Sequence, residues 1–207
     1  MAEAQDKRQR GEFRALPYRE APAFMLQLRE AEGTAARCLE LAMLTAARTT
    51  EALCATWAEF DLDAATWVVP AERMKGGEAH TVHLSPRAVE ILQGQLGQHP
   101  AWVFPSPMKA DSPLSNMAML TVLDRMGMRE RTTVHGLCRA TFSTWANETG
   151  AARPDVIEAC LAHNEADRVR AAYNRSQFTQ ERAALLVAWA EYLTTAPASN
   201  VVPLRAA

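Results

Sequence analysis

Between Val134 and Arg175 the sequence sets His135, Arg139, His163 and Tyr173, in that order, along what reads as a run of short helices. Nowhere else in the chain is so much chemistry concentrated. Tyr173 stands ten residues after His163, in LAHNEADRVRAAYNR. A phenol has an ordinary pKa near ~10, and beside cations its oxygen becomes a usable nucleophile, with a phosphodiester as a suitable target. Tyr18 and Tyr192, the other two tyrosines, lack such company and read as packing residues.

The rest of the composition narrows the alternatives. No repeat, phosphate-binding glycine motif or paired-carboxylate arrangement competes with the tyrosine. Cys38, Cys54, Cys138 and Cys160 fall at no metal-ligand spacing and mostly within apolar helical patterns, so they read as reduced core cysteines. His80 and His83, three apart on a strand, face opposite sides and make a poor metal pair. No metal and no cofactor is expected. The chain of 207 residues is 48% hydrophobic and 22% charged, which suits one soluble domain with its own core. No apolar run reaches the ~18 residues of a membrane span, and MAEAQDKRQRGE is polar rather than signal-like, so a cytosolic location is expected. The net charge of −2 runs mildly against nucleic-acid binding. Basic residues nevertheless gather near the chemical stretch, at Arg73, Lys75, Arg129, Arg131, Arg139, Arg168, Arg170 and Arg175.

The elements that must position these groups follow from periodicity. Residues 1–15 are charged and lack apolar periodicity, which makes them a linker or flexible arm. Helical spacing runs from Arg19 to Glu32, with Gly33 as a stop, and again from Thr34 to Ala46, where the pattern is apolar almost all round and therefore central. Arg48 falls at the junction with the next helix, opened by Thr49 or Thr50, and Glu51 is placed to buttress it. Phe60 to Val69 reads as a strand pair turned at Asp63–Thr66, and Thr81–Leu84 as another strand after the Gly76-Gly77 turn, with Lys75 at its tip. Helices are expected from Ser85 to Leu96 and from Asn116 to Met126, the latter with Met117, Leu120 and Leu123 inward. Others run over His135–Glu148, Pro154–Ala162, Asp167–Tyr173 and Phe178–Leu193. The tail, residues 194–207, is too rich in Pro, Ala and Ser to pack independently, although VVPL is suited to docking on its own domain or a neighbour's. The fold class expected is α+β, mostly α, with a small antiparallel β-sheet.

Beside this reading stands a resemblance. HGLCRATFSTWANE and CLAHNEADRVRAAYNR closely resemble the second and third signature boxes of the tyrosine recombinases, the phage-integrase family. LTAARTTEALCATWAEFDLD resembles the first arginine box, and AERMKGGEAHTVHLS the β-hairpin that carries the family's lysine. The likeness runs from about Leu16 to Tyr192 and implies the family's catalytic-domain fold over residues 16–193. By resemblance, Tyr173 matches the nucleophile, which forms a phosphotyrosyl bond to DNA. Arg48 and Arg139 match the two arginines, whose planar guanidiniums suit the non-bridging oxygens of a phosphate in transfer. His163 matches a donor to the same phosphate, and His135 an acceptor of the phenol proton or a second donor. Lys75 matches the lysine that protonates the departing sugar oxygen. The implied partner is duplex DNA at an attachment site, bound by a homotetramer, with a monomer as the alternative state of the free chain. The implied function is integration and excision of a phage or genomic island. Whole integrases also carry a core-binding domain ahead of the linker; this sequence contains none, and either an excised catalytic domain or a shortened remnant accounts for that.

One departure leaves two registers open. The second box is usually His-x-x-Arg, yet three residues, Gly136, Leu137 and Cys138, separate His135 from Arg139. Alignment on RATFSTW makes Arg139 the arginine after a one-residue insertion. Alignment on His135 puts Cys138 in the arginine slot and deprives the phosphate of a ligand. Residues i+3 and i+4 both lie near the face of residue i, but about 100° apart. A binding-only remnant of the same fold is the alternative that the second register favours, and a type IB topoisomerase shares the chemical logic.

Overall fold

The computed structural model describes residues 14–163 and 178–195. Helix α2 (Thr34–Thr45) lies at its centre. Its stretch from Cys38 to Thr45 is buried on every face, as an all-round apolar helix must be. Around it pack α1 (Ala21–Glu30), α3 (Thr49–Leu53), α4 (Pro86–Gln95), α5 (Ala118–Arg125) and α8 (Thr179–Thr194). Trp189 of α8 is fully buried and donates its indole N–H to the Met43 carbonyl at 2.8 Å, giving a large apolar ring the polar partner it needs. Phe142, Trp145 and Tyr192 close around that indole, and the Tyr192 hydroxyl reaches the Tyr18 carbonyl at 3.1 Å. Tyr18 and Tyr192 are packing residues in this wall.

A helical stretch over residues 134–148 crosses the same core and contains a π turn, Gly136–Ala140, followed by α6 (Thr141–Glu148). The incoming chain lies against its start. Thr132 Oγ1 and the Thr133 amide both donate to the Arg14 carbonyl, at 2.9 and 3.1 Å, and Thr141 Oγ1 donates to that of Leu16 at 2.8 Å. Gly136 permits this approach, because a Cβ there would sit 2.1 Å from the Arg14 oxygen. Helix α7 (Pro154–Cys160) completes the layer and packs on α6 and α8.

A three-stranded antiparallel sheet, ordered β1 (Phe60–Asp61), β2 (Thr66–Val69) and β3 (His80–His83), covers one side. Trp67 pairs across from both Phe60 and Val82, is fully buried and stacks on Phe60 at 5.2 Å between centroids. The fold is mostly α with a small antiparallel sheet, as periodicity indicated.

Several expectations shift in detail. The first helix opens as a 3-10 turn, Tyr18–Glu20, before α1 begins with Pro22 in its first turn. Helix α5 starts at Ala118, so Met117 sits at its cap and is 49% exposed; Leu123 turns inward as expected, joined by Met119 and Val122, while Leu120 is only partly buried. The four cysteines are free thiols, three of them buried. Among the described residues no helix is long and apolar enough to cross a membrane. Of the arm expected over residues 1–15, Arg14 and Ala15 are described and the Arg14 carbonyl is held by Thr132 and Thr133; residues 1–13, the helix expected at Asp167–Tyr173 and the VVPL tail lie outside the described residues.

Candidate active site

Arg48 is set by two abrupt helix boundaries. Helix α2 ends where Ala46 adopts a left-handed conformation, φ 50°, and Arg48 then takes extended backbone as the N-cap of α3. Glu51 accepts from both the Arg48 amide and Nη1, each at 2.8 Å. The carboxylate thus fixes the arginine at main chain and side chain together, the buttress that the sequence suggested.

The π turn decides where Arg139 points. Its closing bond runs from the Thr141 amide to the Gly136 carbonyl, an i→i−5 contact that holds one residue more than an α turn. The additional residue between His135 and Arg139 is absorbed there, and α6 continues with Phe142 and Trp145 in the core. Arg139 is buried, 3% exposed, and donates from Nη1 to the Ala46 carbonyl at 2.8 Å and from Nη2 to that of Leu161 at 2.6 Å. Cys138 turns into the core instead, where burial pushes its thiol up to about 12. Of the two open registers, the geometry sends the guanidinium of Arg139, and not the thiol of Cys138, toward Arg48 and His163.

His163 is aimed by the end of α7. Ala162 is left-handed, φ 47°; its amide donates to Ala159 O at 3.2 Å and the His163 amide to Glu158 O at 3.1 Å, the paired bonds of a Schellman stop. Glu158 also reaches His163 Nδ1 at 2.7 Å, and His163 Nε2 lies 2.9 Å from Arg139 Nη2. A neutral ring satisfies both contacts when Nδ1 carries the proton and Nε2 accepts from the arginine. The carbonyls ending α7 serve both guanidiniums: Arg48 Nη2 lies 3.1 Å from Ala162 O and 3.4 Å from Leu161 O. Partial negative charge at a helix C-terminus offsets some of the repulsion between two adjacent cations.

Those carbonyls do not neutralise the cluster. Burial and then Arg48 lower Arg139 to about 10, and burial followed by Arg139, Arg48 and His163 lowers half-buried His135. Lys75 is exposed in the β2–β3 connection and, with Arg48, Gly76, Ala162 and His163, lines one open pocket of about 350 Å³. Such a pocket suits a phosphate group, since a planar guanidinium, an imidazole and a long-stemmed ammonium all line it.

Arg48, Lys75, His135, Arg139 and His163 therefore come together. Tyr173 lies outside the described residues, as do Arg168, Arg170 and Arg175. Sequence reasoning overlooked Glu158, whose only signal is its place one helical turn and a half before His163. It also counted Arg73 among the basic residues gathered near the site, whereas both terminal nitrogens of Arg73 are spent on protein acceptors. Among the described residues no cluster of three or more His, Cys, Asp or Glu side chains could hold a metal ion.

Comparison with known proteins bears on this geometry. Residues 15–180 match the model of the phage integrase family. The prophage integrase IntA of Escherichia coli K12 is 38% identical over 185 residues, 87% of this chain and 44% of the relative. IntZ of the same organism is 38% identical over 193 residues, 92% and 47% of the two chains, and the integrase of Enterobacteria phage P4 is 32% identical over 199, 87% and 45%. The chain spans about half the length of these curated relatives. An integrase from mycobacterium phage Brujita superposes with a TM-score of 0.63 at 21% identity, covering 89% of this chain and 60% of that one, a likeness of fold.

Proposed function

The chain belongs to the phage integrase family, and on that premise we propose that it is a tyrosine site-specific recombinase that cleaves and rejoins duplex DNA at attachment sites. The observation that carries the reading is the convergence of Arg48, Lys75 and His163 on one pocket, with Arg139 in contact with His163 beside it. In this reading the Tyr173 oxygen attacks phosphorus, a phosphotyrosyl bond forms and the bond to the bridging sugar oxygen breaks. The Tyr173 proton passes to His135 or to solvent. Arg48 and Arg139 hold the non-bridging oxygens as charge spreads over them, and His163 donates to the same group once its Nε2 is protonated or turned from Arg139. Lys75 gives its proton to the departing oxygen. Rejoining is the reverse, with a sugar hydroxyl of the partner strand as nucleophile. The energy of the cleaved bond is retained in the phosphotyrosyl link, so the chemistry calls for no nucleotide cofactor.

The arrangement in action is a homotetramer on two duplexes, and the outcome is integration or excision of a phage or genomic island. The binding-only alternative drew part of its force from the spacing of the second box, and for that part the π turn supplies a physical account without loss of the arginine. The test is covalent trapping on nicked duplexes bearing candidate attachment sequences. A DNA-linked band that survives denaturation and vanishes in Tyr173→Phe is expected. A band that persists in Tyr173→Phe sinks the assignment of the nucleophile.

A further inference from the structure

The β2–β3 connection that bears Lys75 is held at two points just before it. Met74 is buried beneath it, and Arg73 reaches back across the molecule. Arg73 Nη1 lies on both carboxylate oxygens of Glu59, while Nη2 donates to Glu51 O at 2.5 Å and Thr50 O at 3.2 Å. Glu59 is itself fixed: Thr56 Oγ1 donates to it at 3.0 Å, Trp67 Nε1 of β2 at 2.9 Å, and its side chain is only 7% exposed. One guanidinium thus joins the root of the sheet to the first turn of α3. That turn carries Glu51, whose carboxylate holds Arg48.

We propose that Arg73 is a positioning residue, which fixes the height and direction of the Lys75 loop against the helix that presents Arg48. The proposal rests on the reading of Lys75 as the acid for the leaving oxygen. Its logic is geometric. Lys75 has a long flexible stem and is exposed, so the place of its ammonium is set by where the backbone at residue 75 is held. After Lys75 the chain turns back, with the Gly77 amide on the Met74 carbonyl at 3.1 Å and Gly77 at φ +72°, leaving only Lys75 and Gly76 projecting over the pocket. Without the clamp the loop would keep its turn but lose its registry to α3. Lysine at position 73 would retain charge but cannot span Glu59 and two carbonyls at once, because it offers a single nitrogen.

The experiment compares two nicked duplexes, one with the natural oxygen and one with sulfur at the departing bridging position. Sulfur leaves without a proton, so a defect confined to proton delivery disappears on it. Arg73→Ala and Arg73→Lys are expected to slow adduct formation about 10-fold to 100-fold on oxygen. On sulfur they should recover to within about threefold of the parent, following Lys75→Ala. Equal slowing on both duplexes, or none on oxygen, overturns the proposal. Hydrogen exchange on the intact chain gives an answer independent of activity: amides 74–79 should exchange at least about tenfold faster in Arg73→Ala and stay unchanged in Arg87→Ala. Unchanged exchange at 74–79 in Arg73→Ala overturns it as well. If Lys75→Ala itself shows no defect that sulfur removes, the acid assignment of Lys75 fails, while the exchange data still report whether Arg73 holds the loop.

Discussion

At Glu40 a carboxylate with no solvent exposure lies between Arg37, at 2.6 Å, and Arg87, at 2.8 Å, and Arg87 also meets Glu90 at 3.1 Å. At Arg139 a guanidinium almost as withdrawn from water has carbonyls and an imidazole for partners, with Arg48 beside it. Among the described residues no carboxylate is hydrogen-bonded to Arg139. The first region closes its own charge and joins α2 to α4. In the second, Glu51 closes the charge of Arg48, but Arg139 keeps its own, with its donors on neutral acceptors that an anion would outcompete. A buried charge completed from within is a structural device; one left to be completed from outside is a binding site held ready at a cost in stability.

The sharpest way to break this contrast is to exchange the consequences of the two regions. Arg139→Met should reduce formation of the DNA adduct by at least about 10³-fold, since in the proposed reaction Arg139 is one of the two arginines that hold the transferring phosphate. Its melting temperature should stay close to the parent's, because an uncharged chain of similar length relieves the strain of a buried cation. Calorimetry beside the trapping assay checks both halves. A large loss of stability would make Arg139 a structural residue and erase the distinction.

Glu40→Ala should do the opposite. It leaves Arg37 and Arg87 facing an apolar void, although both are near enough to the surface to turn partly toward water. A loss of about 3 kcal/mol, the low end for a broken buried pair, is expected. That corresponds to roughly 6–12 °C in melting temperature for a chain of this size. Adduct formation measured well below the melting transition should remain within about twofold of the parent, the two groups having no hydrogen-bond or ion-pair partner in common. A selective loss of cleavage with unchanged stability would contradict the assignment of Glu40 to the scaffold.

Much of the fold was legible in the sequence, but this contrast was not, and the parts that were missed share a cause. The all-round apolar run of α2 and the Gly76-Gly77 turn state their structure through periodicity and backbone freedom, whereas Gly33, expected to stop the first helix, is the N-cap of α2, and the first helix already ends at Glu30. The two helix ends that orient the arginines do not state theirs. Ala46 and Ala162 hold left-handed conformations usually taken by glycine, so the residue type gave no sign that their carbonyls would point at Arg139 and Arg48. The π turn appeared only as an awkward spacing between His135 and Arg139, since i→i−5 closure follows from packing on both sides of a helix. Arg73 read as one more cation because nothing local links it to Glu59, fourteen residues earlier. Local pattern encodes elements; the engagement of a charged side chain depends on the surface it meets.

A third region sharpens the comparison through a group that handles charge by staying neutral. His80, on β3, lies beside Arg182 of α8 at 3.5 Å, and burial followed by that cation lowers its pKa to about 4; Glu51 acts in the other direction and Arg48 in the same. The ordinary value in the unfolded chain is near ~6.5. Above that both states are neutral at His80 and the residue contributes its full stability. Between about 6.5 and 4 the unfolded chain takes up a proton that the folded chain refuses, so stability falls as pH falls. His80→Gln should flatten the dependence of stability on pH within that window, by up to ~1 kcal/mol per pH unit, and leave it unchanged above pH 7. His83 and His135 are lowered in the same direction and stay in both proteins, so the parent-minus-variant difference isolates His80. Parallel curves for the two proteins from pH 7 to 4 would mean that His80 accepts its proton in the folded state, and that Arg182 does not hold this edge of the sheet as a fixed buried cation.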